Sequence, residues 1–212
     1  MKDIPVFTTE FGVASLILKE IPYRQEAYIR IQTTQQPQEL LKECISFCRM
    51  CGAEKNYATG HSTLEGYPLH TAVVMMCAQR DSLPQTDAAL FPVIPENLEQ
   101  WRSIYNARMA QVPNASWMTQ RDAQELLQTK DAYFVHRGGE LLGIGRAAGD
   151  TIHVVAAVKP GSGRDVIAAL GALITEDTVR LTVAEANIRA VKLYEKIGFL
   201  KTRELSRWYQ II

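Results

Sequence analysis

Three apolar runs stand almost end to end in the second half of the chain: DAYFVH (131–136), LLGIGRAA (141–148) and TIHVVAAV (151–158), separated only by short turns containing RGGE and GD. Glycine-bearing connections of this length join neighbouring strands directly, so the segment predicts an antiparallel meander. The elements around it extend the pattern. Before the meander come the apolar ALFPVIP, a helix near ENLEQWRSIYNARMA, the loop QVPNASW and a second helix at TQRDAQELLQT. After it come KPGSGRD, a helix at VIAALGALI, a strand at VRLTV, a helix at NIRAVKLYEKIGF that stops at a glycine, and a final strand at LSRWYQII. Mixed order of this kind belongs to an α+β domain, expected over residues 85–212.

Residues 1–84 read as a smaller α/β region. VASLIL and AYIRI, separated by IPYR, suggest a strand or short helix followed by a strand. PQELLKECISFCRMCG has helical spacing, a proline in its first turn and a glycine stop. YATGHSTLEGYP reads as a loop, TAVVMMCA as a strand apolar on both faces, and RDSLPQTD as a linker.

Charge and hydropathy narrow the partners. The 212 residues carry 23 Lys plus Arg against 23 Asp plus Glu, so nothing draws the chain electrostatically to nucleic acid or an anionic membrane. No apolar run reaches the roughly 18 residues of a membrane span, and MKDIPVFTTEF lacks the layout of a signal peptide. A cytoplasmic protein is expected, with no nucleic-acid or membrane partner. Three of the 4 cysteines form a C-x3-C-x2-C pattern, Cys44, Cys48 and Cys51, which resembles the cluster motif of radical enzymes that use S-adenosylmethionine. On a helix, however, Cys44 and Cys51 lie about 10 Å apart along the axis. Metal–sulfur bonds of about 2.3 Å require converging thiolates, so buried thiols packing as small hydrophobes are expected and no metal. A zinc site drawing on His61 or His70 is the competing reading.

The last third carries the functional signal. A strand ending in Val183 is followed by Asn187, Ala190, Leu193, Tyr194, Glu195, Lys196, Gly198 and Phe199 in the pattern N-x-x-A-x-x-L-Y-E-K-x-G-F. With the element order of residues 88–212, this resembles the GNAT superfamily of acyl-CoA-dependent N-acyltransferases. The resemblance implies a mixed central sheet flanked by helices, acetyl-CoA as co-substrate and a small-molecule or peptide amine as acceptor. The edge strand LSRWYQII leaves monomer and homodimer both open.

What the resemblance implies for single residues can be set beside plainer readings. Tyr194 matches the general acid that protonates the leaving thiolate, and equally fits a core tyrosine. Asn187 is a cofactor-binding candidate and a good helix N-cap, roles that coexist. The family's Q/R-x-x-G-x-G/A loop has a partial counterpart in Val158, Pro160, Gly161, Gly163 and Arg164, about one residue short. Gly161, Ser162, Gly163, Arg164 and Asp165 would hold a pyrophosphate with helix-start N–H groups and the Arg164 charge, or form only a strand-to-helix turn. Val166 and Ile167 stand where smaller residues normally admit the cofactor. A backbone N–H near Ala157 or Val158 would meet the oxyanion. His153 and then Glu185 are the candidate bases, and Trp117, Met118, Trp208 and Tyr209 the candidate acceptor walls.

The expected activity is acetyl or short-acyl transfer to a primary amine. The alternative is a GNAT-fold binding module with weak or no CoA turnover. A weaker internal parallel, AYIRI and ECISFCRMCGAEK with VRLTV and AVKLYEKIGFLK, would make residues 1–84 a degenerate half of the same fold, with Gly52 and Lys55 matching Gly198 and Lys201, and Cys48 standing where Tyr194 stands.

Overall fold

The computed structural model describes residues 4–211. They form two compact units, one running up to Ala72 and taking in the chain from Glu204 onward, the other covering Val73–Arg203. In the first unit, strands β1 (Val6–Thr9), β2 (Gly12–Ile17) and β3 (Glu26–Thr34) pair antiparallel, with a one-turn helix α1 (Ile21–Arg24) between the last two. Helix α2 (Pro37–Met50) then crosses to β4 (Lys55–Thr59), which lies parallel to β3. The stripe Leu40, Leu41, Cys44 and Cys48 faces one side of α2 and packs with Ala27, Ile29, Ile31 and Ala58.

That packing places the thiols. Cys44 and Cys48 are fully buried while Cys51 caps the helix and is exposed. Among the described residues, no three His, Cys, Asp or Glu side chains gather to hold a metal. β4 corrects the start of the loop expected over YATGHSTLEGYP: Tyr57, Ala58 and Thr59 are buried strand, bonded to β3 on one side and to Tyr209 and its neighbours on the other. A strand held by ladders on both edges needs no apolar run of its own.

The second unit starts inside β5 (Leu69–Gln79), which alternates between buried and half-buried residues from position 72 to 78 and is exposed at both ends. It continues through β6 (Ala89–Pro92), α3 (Leu98–Met109), α4 (Gln120–Thr129), β7 (Ala132–Arg137), β8 (Glu140–Ala148), β9 (Thr151–Ala157), α5 (Gly163–Gly171), β10 (Thr178–Ala184) and α6 (Ile188–Ile197). The expected meander is present, β6 to β9 pairing antiparallel in sequence order. β10 returns parallel to β9 and takes β5 antiparallel on its other edge. The last strand, β11 (Leu200–Ile211), is one run of 12 residues, and it ends in the first unit.

Alternation along β8 separates the helical layers of the second unit. Ile144 packs with Trp101 of α3, Phe134 and Ala156. Gly143 and Gly145 face α5 instead: a methyl group added at Gly145 would lie 2.2 Å from Leu170 Cδ1, and one at Gly143 2.7 Å from Val166 Cγ2. α5 therefore lies on bare backbone. Val166 and Ile167, expected to crowd the loop, are fully buried along the body of α5; at its start Ser162 and Gly163 are buried as well, and Arg164 is exposed.

Candidate active site

The site begins with a strand irregularity. Arg146 pairs with Val154 but Ala147 pairs with Ile152, so His153 is the extra residue of a β-bulge. β9 and β10 are in register only at Thr151 with Arg180 and Ile152 with Leu181. Beyond the bulge β9 stays with β8 and leaves β10 behind. A cleft of about 260 Å³ opens there, lined by residues 152–155 of β9, 181–184 of β10, Tyr105 and Met109 of α3, residues 112–115 of the α3–α4 connector, Asn187 and Tyr194.

Strand polarity says which amides face the opening. The Val158 N–H donates to the Leu142 carbonyl at 2.9 Å, so it is spent within the sheet and is not free for an oxyanion. Antiparallel pairing alternates, so the Ala157 and Val155 N–H groups point away from β8, toward the edge that β10 has vacated. Of these two residues only Val155 lines the cleft. Sequence reasoning missed it because the bulge and the parting of the strands leave no local signature.

Of the expected catalytic side chains, the cleft gathers Tyr194 and His153 and leaves out Glu185. Tyr194 is buried, its ring against Phe199, and burial pushes its pKa up to about 12. The phenol therefore keeps its proton throughout the neutral range. His153 has its pKa lowered, first by desolvation in the cleft wall and then by the Arg146 guanidinium; Asp131 and Asp150 oppose this. Its imidazole is neutral at pH 7 and can accept a proton. The Arg146 charge is itself held by Asp131 at 2.8 Å. Glu185 instead carries an ion pair with Lys201. Asn187 caps α6, its Oδ1 accepting from the Ala190 N–H at 3.3 Å, and also faces the cleft.

The loop before α5 divides the expected anion-binding residues. Gly161 adopts φ +87°, a conformation that favours glycine, although a side chain there would meet nothing within 4 Å. Gly163 packs closely on α6, where a methyl group would sit 2.7 Å from Leu193 Cδ2 and displace that side chain's end. The Ser162 hydroxyl is spent on the Leu142 and Lys159 carbonyls at 2.6 and 2.8 Å. The Asp165 carboxylate accepts from Arg137 at 2.5 Å and from Thr86 at 3.0 Å. Neither side chain is free to meet a cofactor. What remains is backbone and charge: the first-turn N–H groups of Arg164 and Asp165, Gly163 being buried, and an exposed Arg164 side chain with no hydrogen-bond or ion-pair partner among the described residues.

The acceptor walls differ most from expectation. Trp208 packs edge-on to Tyr28 in the first unit, 5.4 Å between ring centres, and Tyr209 joins that unit's core. Trp117 and Met118 are on the connector but do not line the cleft; residues 112–115 of the same connector do. The lining contains no Asp or Glu.

No protein-family model matches the sequence, and no curated protein matches it. Solved structures do resemble the fold. A conserved protein of unknown function from Staphylococcus epidermidis superposes with a TM-score of 0.60 at 13% identity, over 99% of this chain and 94% of that one. A GCN5-related N-acetyltransferase from Sphaerobacter thermophilus gives 0.57 at 10% identity, over 94% and 76%. A GNAT-family acetyltransferase from Colwellia psychrerythraea gives 0.53 at 15% identity, over 98% and 84%. The chain thus has the α+β fold of the GNAT N-acetyltransferases, the same likeness that its closing strand–helix motif carries.

Proposed function

We propose that the chain is an acyl-CoA-dependent N-acyltransferase that moves an acetyl or other short acyl group to a primary amine by direct attack. The observation that carries this reading is the parting of β9 from β10 at the His153 bulge. It brings an outward strand N–H, a neutral imidazole and a protonated phenol to one cleft.

In this scheme the start of α5 binds the CoA pyrophosphate through its free N–H groups and Arg164. The amine nitrogen attacks the thioester carbon, and the Val155 N–H donates to the oxygen as it gains negative charge. His153 takes the proton that the amine sheds. As the C–S bond breaks, the Tyr194 hydroxyl donates a hydrogen bond to the departing thiolate. A thiol, with pKa near ~8.5, is the stronger acid of the two, so Tyr194 stabilises the thiolate until the proton released by the amine completes the free thiol.

Calorimetric titration of acetyl-CoA into the wild type and into Arg164→Glu tests the cofactor half. Binding that weakens about tenfold or more in the variant is expected, from the loss of one charge-assisted contact and the gain of a repulsive one. No binding to the wild type at millimolar acetyl-CoA would overturn the proposal and favour a GNAT-fold module without turnover.

A further inference from the structure

We propose that Asn114 selects the acceptor, pairing its carboxamide with an amide group that the substrate carries beside its amine. This rests on the transfer reaction proposed above and names the substrate class: amino-acid amides and peptides rather than simple alkylamines or polyamines.

Asn114 stands on the cleft wall in the left-handed backbone region, φ +59°, a conformation that asparagine tolerates better than most residues and that clusters at functional sites. Its Nδ2 and Oδ1 are both shielded from solvent, and neither has a hydrogen-bond partner among the described residues, so the carboxamide meets a substrate by turning toward the cleft that the residue lines. A buried amide left unpaired is costly, and a partner that satisfies both atoms must offer an acceptor and a donor side by side. An amide-bearing substrate does so. The fold already contains such a clasp: the Asn106 carboxamide donates to the Met118 carbonyl at 3.0 Å and accepts from the Met118 N–H at 2.9 Å. That clasp, with the Tyr105 hydroxyl donating to the Ser116 carbonyl at 3.0 Å, pins the connector and holds Asn114 in place. The surrounding wall is largely apolar, including Met109, Val112, Leu181 and Val183, and no carboxylate there meets a second cation.

The probes are glycinamide and n-butylamine, similar in size and differing in the amide. In ¹⁵N-labelled full-length protein, the Asn114 side-chain NH₂ signal is identified by its loss in Asn114→Gly, which keeps the backbone free to hold φ > 0. Glycinamide is expected to move that signal and n-butylamine to leave it in place. With acetyl-CoA present, kcat/KM for glycinamide should exceed that for n-butylamine at least about tenfold, and the ratio should fall toward one in Asn114→Gly. A signal that glycinamide leaves unmoved, or that both amines move alike, overturns the proposal whether or not transfer is detected. Failure of the transfer reading shows separately, as absent acetyl-CoA binding and no product from either amine.

Discussion

Replacing Gly145 by alanine tests how α5 is seated. The added methyl would lie 2.2 Å from Leu170 Cδ1 and 3.0 Å from both Cδ2 and Cγ. An ordinary carbon contact needs ~3.5 Å, so the nearest atom must retreat by about 1.3 Å. Leu170 is fully buried and sits on α5, so either its rotamer is forced or the helix lifts. Overpacking of this kind costs about 1–3 kcal/mol, and the absence of free space around Leu170 favours the upper half of that range. Leu170→Ala alone should cost ~2–5 kcal/mol through the cavity it leaves. In the double variant the new methyl enters that cavity, so the combined loss should fall short of the sum by ~1–2 kcal/mol. Urea unfolding measures all three. With a slope of ~2 kcal/mol per molar, a loss of 2 kcal/mol lowers the midpoint by about 1 M. An unchanged midpoint for Gly145→Ala, or strictly additive losses in the double variant, would refute the seating of α5 on bare strand backbone.

Three other outcomes follow from the site and the core. Both folded and unfolded chains hold the Tyr194 proton below pH 10; between 10 and about 12 only the unfolded phenol gives it up. Tyr194 thus makes stability fall with rising pH there, by up to ~2–3 kcal/mol. Tyr194→Phe should flatten that part of the alkaline profile, with Tyr28 and Tyr57 supplying the rest, and an unaltered profile counts against its burial. For His153, the kcat/KM profile should contain an ionisation below 6.5 beside that of the acceptor amine; His153→Gln should remove it and lower the plateau ~10²–10⁴-fold, and an intact low-pH limb would exclude His153 as the base. Burial raises the Cys44 and Cys48 thiols to about 11 and about 12, so iodoacetamide should label the exposed Cys51 well ahead of both; equal labelling by mass spectrometry would contradict the packing of α2.

What the sequence made legible was local. The turns at Gly138-Gly139 and Gly149, all at positive φ, punctuate the meander within a few residues of where the letters place them. Gly52 and Gly198 end α2 and α6 as glycine stops. What escaped was decided by partners far away in the chain. KNYAT becomes a buried strand because β3 and the end of β11 bond to both its edges. Trp208 and Tyr209 looked like pocket walls beside the motif, yet β11 carries them into the first unit. The Val155 amide and the unpaired Asn114 carboxamide become visible only once the bulge and the connector have positions.

The substitutions that made the α5 loop look degraded have a packing explanation. Val166 is larger than the residue the family pattern suggests at its position, but opposite it β8 carries Gly143, and opposite Leu170 it carries Gly145. Bulk is placed on the helix and withheld from the strand, so the helix still closes on the sheet at core density. At Val166 the exchange takes place on the face that meets β8. The anion site would lie at the helix start, in backbone N–H groups that no side-chain exchange alters and in an arginine that points to solvent. At Val166, departure from the loop pattern therefore serves the interface with the sheet rather than the helix start.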